Sequence, residues 1–124
     1  MKKNLTTPED ADEFAGYIEK WQLLLNLHDW RICRGKKAAS GVMADVSLDH
    51  SAKMAIWRLG RHFGSDSVNA YSLESTAVHE MLHVLLADYR EAVAAKASDD
   101  LISAAEHRIV NTLERLLVTK PGNV

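Results

Sequence analysis

A single cysteine, Cys33, stands in the 124 residues, which excludes an internal disulfide and any multi-cysteine zinc ribbon. In a strand-like segment it is expected as a buried strand residue. No apolar run approaches the ~18 residues that a membrane-spanning helix needs. Behind Lys2 and Lys3 comes Asn4-Leu5-Thr6-Thr7-Pro8 rather than an apolar stretch, so no classical export signal is expected and the expected location is the cytoplasm. Charge of one sign is also lacking: the net charge is −2, with no basic tail or block to draw in nucleic acid. Repeats, low-complexity segments and an interdomain linker are absent as well. What is present is a chain 47% hydrophobic, enough for one core and one domain over residues 1–124 but too short for two.

The elements can be read from their ends and their periods. Thr7 offers a hydroxyl cap, Pro8 suits the first helical position, and Glu9 and Asp10 oppose the helix dipole. Phe14, Ile18, Trp21 and Leu25 then recur at helical spacing, with an end near Asn26. Short strands are predicted at 30–34, 42–48 and 53–59, separated by the turn-like 35–41 and by Asp49-His50-Ser51. A long loop, 60–72, leads into a helix over about 73–96. Ser98-Asp99-Asp100 can cap a last helix from Leu101 to about Thr119, stopped by Lys120-Pro121-Gly122. The order helix, three strands, two helices argues an α+β domain with a small, mostly antiparallel sheet.

The richest local signal is His79-Glu80-Met81-Leu82-His83, an HExxH pentad inside the helix over 73–96. Four residues apart on a helix, both imidazoles can grip one metal ion while Glu80 reaches a water beside it. At 100° per residue, the apolar stripe of Val78, Leu82, Leu85 and Tyr89 centres about 90° from His79, placing His79 and His83 at its margin with Thr76 and Arg90. They are therefore expected to border a cleft, the plainer alternative being two histidines at the core's edge. A catalytic zinc normally has three protein ligands. The metzincin pattern would need glycine and histidine where Leu86 and Tyr89 stand, so it is excluded. In the last helix Glu106 lies within about 40° of Ile102, Val110, Leu113 and Leu117, a carboxylate amid an apolar stripe. Burying it unpaired would cost several kcal/mol, so it is expected to meet a cation, either zinc as third ligand or a buried arginine. His107 points toward water.

On these residues, the pentad within Val78–Leu85 and Glu106-His107-Arg108-Ile109-Val110, the chain resembles the zincin metallopeptidases of the glutamate-liganded branch. It is similar also to short metallopeptidases of phages and prophages, and to the catalytic core of SprT-like proteases without their cysteine-rich module. Ala105 stands where the glutamate zincins carry an asparagine. The resemblance implies a minimal zincin-like fold binding Zn²⁺ through His79, His83 and Glu106, with Glu80 as general base in peptide-bond hydrolysis. It also implies a peptide or protein substrate added along an edge strand, for which 53–59 is the candidate, and a host-cytoplasm location for a phage product. Tyr71, His62 and His107 are the residues considered for steadying an oxyanion.

Two other readings compete: a catalytically idle zincin-fold interaction protein that still binds metal, and a nucleic-acid module suggested by Arg31, Arg34, Lys36, Lys37, Arg58 and Arg61. The intact Glu80 argues against the first. Offsetting acids and the lack of an aromatic stacking pattern argue against the second, so neither a nucleic-acid nor a membrane partner is expected.

Overall fold

The computed structural model describes residues 3–118, in the order α1 (Pro8–Leu24), β1 (Arg31–Arg34), β2 (Ala44–Asp49), β3 (Met54–Leu59), α2 (Ala70–Ala94) and α3 (Asp99–Leu117). This is an α+β fold. Lys120, Pro121 and Gly122, read above as the stop of the last helix, lie outside the described residues, as does Thr119. Among the described residues no helix is long and apolar enough to cross a membrane.

Each helix start is a side-chain cap. The Thr7 hydroxyl accepts from the Asp10 amide while the Asp10 carboxylate accepts from the Thr7 amide, and Pro8 occupies the first turn. α2 begins at Ala70, three residues before the apolar period would start it, because Asn69 and Ser72 form a reciprocal cap. Serine in the third helical position stands in for the usual glutamate or glutamine, which hides this start from a motif search. Ser98 caps α3 through the Leu101 amide. Two helices are followed by residues in the left-handed region, Asn26 (φ 56°) after α1 and Lys96 (φ 53°) after α2, the backbone conformation that closes a helix C-terminus.

The sheet order is β1-β3-β2, with β3 central, parallel to β1 and antiparallel to β2. The expected edge strand at 53–59 is therefore corrected: β3 has partners on both sides, and β2 is the antiparallel edge. The cause is the β1–β2 connection. It crosses the end of β3, pinned there by the Gly35 amide on the Trp57 carbonyl (2.7 Å) and the Ala39 amide on the Leu59 carbonyl (3.1 Å). β2 then returns as a hairpin against the far side of β3.

Alternation along β3 sends Ala55, Trp57 and Leu59 into the core, where they meet Phe14 and Ile18 of α1 and Leu73, Ala77, Met81 and Val84 of α2. Phe14 and Trp57 pack with ring centroids 5.1 Å apart. The opposite face of β3 is more open, with Ile56 exposed. Cys33, aligned with Ile56 on that open face, is half-buried rather than buried in the core. α3 lies against α2, its Ile109, Leu113 and Leu116 packing on the core cluster and Thr112 buried.

Candidate metal centre

The histidines of α2 face a recess of about 360 Å³ between this helix and β2, lined by Ala44, Asp45, Val46 and Leu48 on the strand and His79, Glu80, His83 and Arg90 on the helix. The two imidazole centroids are 5.0 Å apart, with ring planes at 78°. This follows from helix geometry: four residues bring the rings one above the other, with no strand or loop needed to converge them. His79 is exposed, His83 half-buried and Glu80 buried at 6% exposure.

Glu80 is the unusual group. Burial pushes its carboxyl above the ordinary glutamate value; His79 pulls it back and Asp45 pushes it further up. A carboxylate so placed is a better proton acceptor than one in water, the property a general base needs. Asp45, the other acid on the wall, is committed to a cross-strand pair. Arg58 holds it with two hydrogen bonds, Nε to Oδ1 at 2.9 Å and Nη2 to Oδ2, which lower its carboxyl below the usual range despite partial burial.

Glu106 is not gathered with the imidazoles. Its side chain is exposed on α3, so the burial argument for a cation at that position is corrected. The inward face of α3 carries Ala105, Ile109, Thr112 and Leu116, centred about 90° round the helix from Glu106. Val110 and Leu117, assigned above to the buried stripe, are 50% and 81% exposed. The bond from Arg108 Nη1 to Asp88 Oδ2 (2.7 Å) registers α3 against α2. With the helices antiparallel, that register puts Glu106 at the level of Arg90, about 10 Å along the axis from the level of His83. Among the described residues, no three His, Cys, Asp or Glu side chains are gathered so as to hold a metal ion.

None of the three oxyanion candidates lines this recess. Tyr71 is 83% exposed, the His62 ring accepts the Gly64 amide at 2.9 Å, and the His107 ring meets the Ser103 carbonyl at 2.8 Å. Arg90 lines it instead. It follows His83 by seven residues and His79 by eleven, within about 20° of both, a placement legible in the sequence once the pentad is taken as the reference.

Asp88 is a hub. It accepts from His50 Nε2 at 2.7 Å, from Lys53 Nζ and from Arg108 Nη1, and so joins α2 to the β2–β3 turn and to α3. Comparison with protein-family models, curated proteins and solved structures finds no match.

Proposed function

We propose that the chain is a zinc-dependent peptidase that hydrolyses peptide bonds at the recess between α2 and β2. The observation that carries the reading is a buried glutamate with a raised pKa, one residue from an imidazole and facing the same recess as a second imidazole a helical turn on. The donor chemistry fits zinc in part: two neutral imidazoles suit a borderline-soft ion better than Mg²⁺ or Ca²⁺. Glu106, expected as third ligand, lacks the burial that argued for it, and Asp45 is held by Arg58, so His79 and His83 are the residues that would hold the ion. Zinc, when bound by His79 and His83, would supply Lewis acidity toward the scissile carbonyl and toward a water.

The chain's own residues have separable parts in this proposal. Glu80 takes one proton from the attacking water and returns it to the leaving nitrogen. Arg90, which lines the recess, brings a guanidinium that can stabilise negative charge developing on the carbonyl oxygen. β2, with β3 on one side only, presents the backbone edge along which an extended substrate would add as a further strand.

Digestion of an unfolded protein by zinc-loaded wild type and by Glu80→Gln tests the reading. Glutamine keeps the shape but cannot accept the proton, so cleavage should fall to background. Equal cleavage by both would remove Glu80 from the mechanism. The absence of a gathered third donor among the described residues favours, as a second reading, a metal-binding interaction protein of phage or prophage type without turnover. Zinc binding with no cleavage of any unfolded substrate would establish it in place of the first.

A further inference from the structure

A second recess, of about 440 Å³, lies on the same face of the sheet but away from β2, between the first turn of α1 and the β1–β2 connection, and shares no lining residue with the metal centre. Among the described residues four cations line it, Arg34, Lys36, Lys37 and Arg61, and no carboxylate does. In a chain of net charge −2 this concentration of one sign is not the average surface. Two of the nearby acids are used elsewhere, while Glu9 in the first turn of α1 is exposed. Asp10 closes the α1 cap and pairs with Lys3 at 2.7 Å, Asp45 holds Arg58, and among the described residues only exposed Asp12 pairs with a lining cation, Arg34, at 3.1 Å. A pair so exposed contributes little and is readily exchanged. Lys36, Lys37 and Arg61 make no ion pair among the described residues.

The lysines are also held in place. Their loop is tied to β3 at both ends, through the Gly35 and Ala39 amides, and Gly35 lies so close to β3 that a Cβ there would come 2.5 Å from Arg58 Cγ. The Arg34 guanidinium stands 5.6 Å from the centre of the Trp57 ring. Trp57 and Leu59, buried at 4% and 7% exposure, form the floor of the recess, and Pro8 and Ala11 of α1 give it an apolar side beside its charged rim. A cationic rim, an apolar wall and a volume in the small-ligand range together select an anion carrying a sizeable neutral part.

We propose that this recess binds a phosphate-bearing ligand of about nucleotide size, its phosphates on Lys36, Lys37 and Arg61 and its neutral part against Pro8 and Ala11. The site is independent of the peptidase reading. The phosphate can come from a free nucleotide or from the backbone of a single strand, and the arms of one experiment separate them.

The test is isothermal titration of the His79→Ala variant, zinc-free so that chelation is silent, with ATP, pyrophosphate and a short oligothymidylate at about 50 and about 200 mM salt. Saturable binding is expected, weaker at the higher salt. It should weaken about tenfold or more in Lys36→Gln/Lys37→Gln and in Arg61→Gln, and stay within about threefold in Lys36→Arg/Lys37→Arg. Thermal melts of the variants near that of the parent show that the fold survives. Tighter binding of ATP assigns the free nucleotide, and tighter binding of the oligonucleotide assigns the strand. The proposal is overturned if none of the three ligands binds at about millimolar concentration, or if the glutamine variants, folded, bind as the parent does.

Discussion

Replacing Asp88 with asparagine should lower stability by about 2 kcal/mol. The half-buried carboxylate accepts from His50 Nε2 at 2.7 Å and Lys53 Nζ on one oxygen and from Arg108 Nη1 at 2.7 Å on the other. Arg108 reaches on to Asp29 at 3.3 Å, and Lys53 stands 5.2 Å over the Trp30 ring. Asparagine keeps one acceptor oxygen but turns an NH₂ toward these donors. A charge-assisted bond contributes about 1.5–3 kcal/mol, but partial exposure and the shared acceptor keep the three from adding. For a chain of this length the loss corresponds to a melting temperature about 8 °C lower. The pH dependence has a definite sign. Burial pushes the Asp88 carboxyl up, but the bonds from Lys53 and His50 and the charges of Lys53 and Arg108 outweigh it, leaving the folded-state pKa below the ordinary value. Its contribution is thus fully present above the unfolded-state pKa and lost as pH falls through the folded one. Thermal melts across pH should show a constant deficit near neutrality that closes in acid. A variant melting within about 1 °C of wild type near pH 7, or a deficit that persists unchanged in acid, would refute the reasoning.

Other predictions concern the backbone and the recess. Gly16 is exposed in α1 with nothing within 4 Å of a built Cβ, so Gly16→Ala should raise stability by about 0.5–1 kcal/mol in a denaturant titration. At Gly60 the added Cβ would lie 2.0 Å from the Val42 carbonyl oxygen, backbone that cannot step aside, so Gly60→Ala should lose about 3 kcal/mol or fail to fold. Arg90→Met should lower kcat/KM for peptide hydrolysis about tenfold or more, with Arg90→Lys between it and wild type. Unchanged turnover would free Arg90 of any part in the reaction.

Most of the element boundaries were legible because they are written in caps. Thr7-Pro8, Ser98 and the αL residue Asn26 each mark an end by a local bond or backbone conformation that needs no tertiary context. Strand order was not legible. The β2–β3 hairpin follows from its turn, but β1 lies on the far side of β3 because the 35–43 connection crosses the end of that strand, and that is fixed by two amides on Trp57 and Leu59. Glu106 shows the limit of periodicity. α3 carries apolar residues on more than half its circumference, so the pattern alone permits two rotations, one burying Val110 and Leu117 and the other Ile109 and Leu116. Arg108, reaching Asp88 and Asp29, accompanies the second. His79, Glu80 and His83 were legible as a unit because helix spacing alone juxtaposes them; the burial of Glu80 was not, since it depends on what packs against α2.

The central claim is tested most directly by zinc titration against a competing chelator, in wild type, His79→Ala, His83→Ala and Glu106→Ala. The account predicts about one zinc per wild-type chain, affinity reduced by orders of magnitude in either histidine variant, and a change under about tenfold for Glu106→Ala, whose side chain is exposed on α3. No saturable zinc binding in wild type, or equal binding in the histidine variants, would contradict it.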